Sequence, residues 1–292
     1  MYEKLEECPS CKYTKFSNHI ICKDYSVSQE SFALVKCDKC TLVFTNPRPD
    51  LEHIGQYYEN ADYISHTNKA NNPINVIYKI VRNYTFHSKR KLIKTYTTGK
   101  RVLDFGCGSG AFINYLKSKN FQPEGYEPHP STNQYAQDFT KLPIYHDLKQ
   151  LKKQEKYDAI TAWHVLEHVH ELRDTLKALR KRLTDQGFMF LALPNHSSHD
   201  ATLYGPNWAA YDVPRHLYHF NPESFAILVK NCKLQIVDQI PMVFDSYYVS
   251  LLSEKHITGK TNILKAAKMG YLSNQSAHKT GNYSSLIYIL KK

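Results

Sequence analysis

A glycine-rich turn between an apolar strand and a helix constrains the fold of this chain more than any other feature. The segment VLDFGCGSG (102–110) runs from hydrophobic residues into Gly106, Gly108 and Gly110, and a helical pattern follows. Glycines permit a sharp turn and the close approach of a ligand, and the N-terminus of the next helix offers N–H groups to an anion. This order is typical of a parallel α/β sheet that binds a nucleotide-like cofactor.

Short apolar strands alternate with amphipathic helices after residue 100, which predicts parallel strand–helix–strand units. The predicted strands are 101–106, 122–127, 142–146, 157–163, 187–194, 234–240 and 285–290, and the predicted helices are 110–119, 131–138, 170–183 and 222–231. The predicted fold is a doubly wound, Rossmann-like α/β sheet. We predict three regions: a small module at 1–48, a helical segment at 49–98 and the cofactor-binding domain at 99–292.

The net charge of the chain limits the kinds of partner that it is expected to bind. Its 292 residues carry 38 Lys and Arg against 27 Asp and Glu, a formal net charge of +11. A nucleic acid, a phosphorylated small molecule or an anionic membrane surface fits that charge, but the lysines are spread along the chain rather than gathered in one tail. The start has no apolar stretch typical of a secretion signal, and the apolar runs are too short to cross a bilayer. We therefore expect a cytoplasmic enzyme with no membrane span.

Two carboxylates flank the glycine turn. Asp104 lies just before the first glycine, and Glu127 ends the next predicted strand, 19 residues after Gly108. A carboxylate at the second place can accept hydrogen bonds from both ribose hydroxyls of an adenosine. With Ala111 the turn also satisfies a relaxed dinucleotide fingerprint, so the turn and the carboxylates alone leave NAD as an alternative to a methyl donor.

Further motifs resemble those of class I S-adenosylmethionine-dependent methyltransferases. The similarity to the ubiquinone-pathway O-methyltransferase group lies in LDFGCGSG (103–110), GYEP (125–128), WHVLEHV (163–169) and LPN (193–195). It implies that the turn holds the methionine end of the donor, that Glu127 binds the ribose, that Asp147 and Leu148 flank the adenine and that His164 lines the pocket. The implied donor site comprises Asp104, Gly106, Cys107, Gly108, Gly110, Glu127, Pro128, Asp147, Leu148 and His164.

Two C-x-x-C pairs lie in the first region: Cys8 with Cys11, and Cys37 with Cys40. Two thiolates on one turn can bind one ion, and two such turns complete a tetrahedral zinc site. The apolar segments around the second pair predict a short hairpin, so we expect a zinc ribbon with one structural zinc ion; a redox pair or free thiols are the alternative. This start is similar to the zinc module of sugar C-methyltransferases, although no long domain follows the last predicted strand.

A long insertion at 195–220 follows the fifth predicted strand, at the sheet edge where acceptors bind. His216 and His219 are candidate general bases there, because the helix predicted at 222–231 disfavours a protonated imidazole at its N-terminus. Tyr211 is a candidate contact to the acceptor. Arg215 could pair with an acidic acceptor, or it could pair with Asp212 and hold the insertion together.

The function expected from these features is S-adenosylmethionine-dependent methyl transfer to a small-molecule acceptor. Zinc would be structural, and nucleic acid is the less favoured partner. An RNA methyltransferase that uses the zinc ribbon and the basic surface is one alternative. A non-catalytic binding protein that keeps the fold is another, although the complete glycine turn and Glu127 speak against it.

Overall fold

The structure, a computed structural model, describes residues 1–58, 73–151 and 155–292, with the backbone alone for residues 73–81. The strands, in chain order, are β1 (Tyr2–Glu3), β2 (Phe16–Lys23), β3 (Ser31–Cys37), β4 (Val43–Thr45), β5 (Arg48–Pro49), β6 (Arg101–Phe105), β7 (Gln122–Tyr126), β8 (Ile144–Tyr145), β9 (Tyr157–Trp163), β10 (Leu183–Pro194), β11 (Tyr218–His219), β12 (Gln235–Pro241) and β13 (Ser285–Lys291). The α-helices are α1 (Pro73–Tyr96), α2 (Ala111–Lys117), α3 (Pro130–Thr140), α4 (Leu172–Arg182), α5 (His199–Tyr204), α6 (Pro222–Asn231), α7 (Asp245–Thr258) and α8 (Ile263–Thr280).

A seven-stranded sheet in the order β12-β13-β10-β9-β6-β7-β8 forms the centre of the structure. β10, β9, β6, β7 and β8 are parallel to their neighbours in that run, whereas β13 is antiparallel to both β10 and β12. Along the chain, β7 and β8 extend the sheet on one side of β6, and β9 then pairs with the other side of β6. Ligands of such sheets bind at the carboxyl ends of the strands where the order reverses, here between β6 and β9.

Helices pack on both faces of this sheet, because successive side chains of a strand point in opposite directions. Leu103 lies in one buried cluster with residues of α4 and α6. Its neighbour Val102 lies in another cluster with residues of α1 and α2. The expected doubly wound α/β fold is therefore confirmed.

A second sheet, in the order β11-β4-β3-β2, includes a strand from far along the chain. β11 belongs to the insertion after β10 and pairs antiparallel with β4, with Tyr218 opposite Phe44 and His219 opposite Val43. The insertion thus completes the sheet of the cysteine-bearing module. The domain boundaries 1–48, 49–98 and 99–292 stay predictions. A boundary between the first region and the last would separate the paired strands β4 and β11.

α7 and α8 form a helical hairpin between β12 and β13 that the sequence pattern did not predict. The buried positions of these helices are mostly small, such as Ser250 and Ser253 on α7 and Ala266 and Gly270 on α8. Helix prediction depends on large apolar residues at helical spacing, and most of the buried positions of this pair are small instead. Among the described helices, none is both long and apolar enough to cross a membrane.

Candidate active site

The glycine turn lies at the carboxyl end of β6, beside the point where the strand order reverses. Gly106, Gly108 and Gly110 have φ angles of +76°, +54° and +76°, a region that side chains rarely adopt. A Cβ on Gly106 would lie 2.5 Å from Cγ2 of Val165, which follows β9, so this glycine lets the two loops meet. A Cβ on Gly108 would meet nothing within 4 Å. The space next to Gly108 is therefore open to a ligand.

Glu127 lies against this turn and holds a fixed orientation. Its Oε2 accepts a hydrogen bond from the backbone N of Gly108 at 3.1 Å, and its Oε1 accepts one from the backbone N of His129 at 3.0 Å. Burial raises the pKa of Glu127, and these two N–H donors oppose the rise. Each oxygen keeps a second lone pair, which is what a ribose diol requires. Pro128 lies between Glu127 and His129, at the start of the loop that leads to α3.

Asp104 faces a lysine that the sequence analysis did not single out. Its carboxylate accepts a hydrogen bond from Oγ1 of Thr161 at 2.5 Å. Burial raises the pKa of Asp104 to about 6, although the Thr161 hydroxyl and the charge of Lys89 oppose the rise. The Nζ atom of Lys89 lies 4.2 Å from the centroid of the Trp163 ring. Desolvation lowers the pKa of Lys89 to about 8, against the charges of Asp104 and Asp245.

His164 directly follows β9 and has a left-handed backbone conformation with φ of +56°. Its Nε2 lies 3.1 Å from Oδ2 of Asp245, and its Nδ1 lies 3.5 Å from Oε1 of Glu167. Burial alone would lower the pKa of His164, but these two carboxylates outweigh it and raise the pKa to about 10. The ring is therefore a cation at neutral pH. Backbone strain of this kind is typical of functional sites.

The remaining predicted donor residues lie along the same edge or beneath it. Asp147 follows β8, and its Oδ1 accepts a hydrogen bond from the backbone N of Lys149 at 2.8 Å, which caps the short helical turn Leu148–Gln150. Because β7 and β8 are parallel, this turn shares the sheet edge with Glu127. Cys107 belongs to a small apolar cluster beneath the glycine turn, so its side chain packs and does not face the edge.

A buried polar cluster lies behind that edge. Glu167, His168 and His216 each place one side-chain nitrogen or oxygen atom within 4.8 Å of the others. The Nδ1 of His216 lies 2.9 Å from the carbonyl oxygen of Ala210, so Nδ1 carries a proton and donates it to that oxygen. Its Nε2 lies 3.9 Å from Oδ2 of Asp212. Glu167 joins this cluster to the edge because it also faces His164.

His219 and Tyr211 lie between the insertion and the second sheet. The Nε2 of His219 is 3.5 Å from Oγ1 of Thr45, and its ring meets that of Tyr211 edge-on at 5.2 Å between centroids. Burial lowers the pKa of His219 well below its usual value. Tyr211 in turn packs edge-on against Trp208. These contacts brace the insertion, and a catalytic role for either residue stays a prediction.

Arg215 pairs internally, as one of the two interpretations of the insertion predicted. Its Nη2 lies 2.6 Å from Oδ1 of Asp212 and 3.0 Å from Oδ1 of Asp24, and its Nη1 donates to the carbonyl oxygen of Tyr57 at 3.0 Å. The residue is 3% exposed. An acidic acceptor therefore does not meet Arg215, which joins the insertion to the N-terminal module instead.

The four N-terminal cysteines form one cluster. The Sγ atoms of Cys8 and Cys40 are 3.4 Å apart, and those of Cys11 and Cys37 are 3.6 Å apart. All four sulfur atoms lie within 4.8 Å of one another. Ligands about 2.3 Å from a tetrahedral zinc ion lie about 3.8 Å from each other. The donor set and its size fit one zinc ion.

Sequence comparison shows the family of the chain. A family model described as a methyltransferase domain matches residues 78–239, so the chain belongs to the methyltransferase-domain family. The expected class, a class I S-adenosylmethionine-dependent methyltransferase, is confirmed. The match extends from α1 to β12 and includes both the glycine turn and His164, and it sets the dinucleotide alternative aside.

Curated relatives agree with this class, and a solved structure shares the fold. The chain is 26% identical over 161 residues to a ubiquinone biosynthesis O-methyltransferase of Bradyrhizobium diazoefficiens, a match that covers 51% of this chain and 64% of that protein. A homologue of the same description from Xanthomonas oryzae pv. oryzae is 24% identical over 165 residues, covering 51% of this chain and 68% of that protein. The magnesium protoporphyrin IX methyltransferase of Synechocystis PCC 6803 superposes with a TM-score of 0.53 at 14% identity, covering 82% of this chain and 100% of that one. The last likeness concerns the fold alone.

Proposed function

We propose that this protein transfers a methyl group from S-adenosylmethionine to a small-molecule acceptor. The observation that carries the proposal is the Glu127 carboxylate, held by two backbone N–H groups beside the open Gly108, in a chain of the methyltransferase-domain family. The names of the curated relatives support a small acceptor.

The donor would lie along the sheet edge with each end held by different residues. In this proposal Glu127 accepts hydrogen bonds from the ribose hydroxyls, and the turn at Asp147 and Leu148 borders the adenine. Lys89 pairs with the donor carboxylate, and Asp104 attracts the donor ammonium group. The bound donor supplies a methyl group already activated on a sulfonium, so the protein mainly aligns the acceptor, an effect worth roughly 7–11 kcal/mol.

The reaction side of the site would be formed by His164 and Asp245. The ring of His164, held between the carboxylates of Asp245 and Glu167, would border the acceptor and help to orient it. We propose His216 as the base that takes the proton of a hydroxyl acceptor by way of Glu167, because the two side chains belong to the same buried cluster. Tyr211 and His219 would hold the insertion that carries His216.

We propose that Cys8, Cys11, Cys37 and Cys40 bind one structural zinc ion. Four sulfur ligands leave no open coordination position, so the ion would have no substrate to activate. The sulfur separations of 3.4 Å and 3.6 Å support this proposal. The ion would fix the turn before β2 to the turn between β3 and β4, and thereby the sheet that β11 completes.

The proposal is tested by the binding of S-adenosylhomocysteine, the demethylated donor, measured by titration calorimetry. We expect Glu127→Gln to weaken binding about ten- to a hundredfold, because a hydrogen bond to a charged group is worth roughly 1.5–3 kcal/mol. Glutamine keeps one acceptor oxygen for one of the two backbone N–H groups, and an unchanged unfolding midpoint would show that the turn stays folded. The exposed Glu223 gives the matched control, and Glu223→Gln should bind like the wild type.

Methyl transfer itself is measured with methyl-tritiated donor and a cell extract separated into small molecules, RNA and protein. We expect label in the small-molecule fraction, and we expect Glu127→Gln to lower it. Unchanged affinity in Glu127→Gln, or label found in RNA alone, would contradict the proposed function.

A further inference from the structure

The turn between α7 and α8 presents aliphatic side chains to solvent. Ile257, Ile263 and Leu264 are 49%, 70% and 85% exposed. The two helices pack against each other through small residues: a Cβ on Gly270 would lie 2.6 Å from Cδ1 of Tyr247. The large aliphatic residues of the tip are therefore not needed to hold the hairpin together. We call residues 257–268 the hairpin tip.

The charge around the hairpin tip has one sign. The chain contains no Asp or Glu after Glu254, whereas lysines stand at 255, 260, 265 and 268. Glu254 is buried and lies 3.0 Å from Nζ of Lys265, so it offsets only that lysine. Lys255, Lys260 and Lys268 are exposed and lie within a few residues of the exposed aliphatic side chains along the chain.

The hairpin tip projects from a fixed base. The ring of His256 stacks on that of Tyr25 at 4.3 Å between centroids and an interplanar angle of 11°. The Nδ1 of His256 lies 3.3 Å from the carbonyl oxygen of Asn207. These contacts attach the end of α7 to the N-terminal module and to the insertion, so the exposed residues beyond it keep a defined position on the surface.

We propose that the hairpin tip docks the protein on an anionic lipid bilayer. Ile257, Ile263 and Leu264 enter the interface between headgroups and acyl chains, and the lysines contact the anionic headgroups. Exposed aliphatic residues with lysines beside them are typical of proteins that bind at the membrane interface. RNA recognition relies on aromatic and arginine side chains that stack on bases, and residues 257–268 contain neither. This proposal does not depend on the proposed methyl transfer.

The test is sedimentation of the full chain with vesicles of phosphatidylcholine alone or with a third of phosphatidylglycerol. We expect binding to the anionic vesicles only, weaker as salt rises. Each of Lys260→Glu and Lys268→Glu should lower the partition coefficient at least about fivefold. Leu264→Asp should lower it at least about tenfold. These residues are exposed, so the variants should unfold at the wild-type temperature.

Two control variants match these changes elsewhere on the surface. Leu51→Asp alters a residue that is 71% exposed, and Lys119→Glu reverses the charge of an exposed lysine after α2. Both should bind vesicles like the wild type. The proposal is overturned if anionic vesicles do not bind at low salt, or if the tip variants bind like the controls. It is also overturned if Leu264→Asp has no effect while an unstructured RNA competes for the lysines, because the tip would then bind polyanions and not a bilayer.

Discussion

At the scale of single residues, the charge of Lys89 is the most consequential feature of the site. Desolvation lowers its pKa to about 8, so the side chain is mainly protonated at pH 7 and becomes neutral as the pH rises through 8. The charges of Asp104 and Asp245 limit this shift. A cation poised in this way can neutralise the carboxylate of the donor, and its loss at high pH should weaken donor binding.

The affinity for S-adenosylhomocysteine should therefore depend on pH through Lys89. We expect wild-type affinity to fall above pH 8 by up to tenfold per unit, because only the protonated lysine attracts the carboxylate. Lys89→Met should bind about ten- to a hundredfold more weakly at pH 7, and the affinity ratio of Lys89→Arg to Lys89→Met should stay constant to pH 10, since arginine stays charged. The ligand amine also titrates, so calorimetry should report the ratio of wild type to Lys89→Met at each pH. A ratio that does not change between pH 6 and 10 would show that Lys89 does not hold the donor.

Residues in a local motif could be predicted from the sequence, whereas residues brought from elsewhere could not. The glycine turn and Glu127 are recognisable because strand, turn and carboxylate follow one another within 26 residues, 102–127. Lys89 is one of several basic residues in α1, and Asp245 begins a helix that has no apolar pattern. Their proximity to Asp104 and His164 depends on how α1 and α7 pack on the sheet, which spacing in the sequence does not express.

At the scale of elements, the α7–α8 hairpin links packing to the site. The first residue of α7, Asp245, contacts His164. Near the other end of α7, His256 stacks on Tyr25. The strands of the central sheet were predictable because each is a short apolar run with turn residues on both sides. The hairpin was not, because small residues allow close helix packing without large apolar side chains.

Close packing at Gly270 predicts an unusual response to alanine. Within a helix, Gly→Ala normally stabilises by about 1 kcal/mol. Here the new Cβ would lie 2.6 Å from Cδ1 and 2.8 Å from Cα of Tyr247, and overpacking costs about 1–3 kcal/mol. We expect Gly270→Ala to lower the thermal unfolding midpoint, and Gly55→Ala, in the short helical segment Ile54–Tyr58 where a Cβ meets nothing within 4 Å, to keep or raise it. A higher midpoint for Gly270→Ala would show that the hairpin is packed less closely.

At the scale of the whole molecule, the cysteine cluster and the insertion belong to one packing unit. Phe32 and Val43 of the second sheet share a buried cluster with Trp208 and Tyr211 of the insertion and with Val249 of α7. The separate module suggested by the cysteine spacing is thus joined to the α/β domain by the pairing of β11 with β4. A sequence motif identifies metal ligands, but it does not indicate which distant strand completes their sheet.

Loss of the zinc ion should therefore loosen the structure beyond the four cysteines. We expect about one zinc ion per chain, and we expect Cys37→Ser to remove it and to lower the unfolding midpoint. The chain has two tryptophans, so Trp208 is the remaining tryptophan in a Trp163→Phe variant and its fluorescence can be followed alone. Trp208 is 2% exposed, so loss of zinc should shift its emission to longer wavelength as the insertion loosens. Cys107→Ser alters a cysteine beneath the glycine turn, outside the buried clusters of the four cysteines and of Trp208, and should keep the zinc and the emission. Protein without zinc that was never exposed to chelator would contradict the metal assignment, and an unshifted Trp208 in zinc-free Cys37→Ser would show that the insertion holds its structure without the ion.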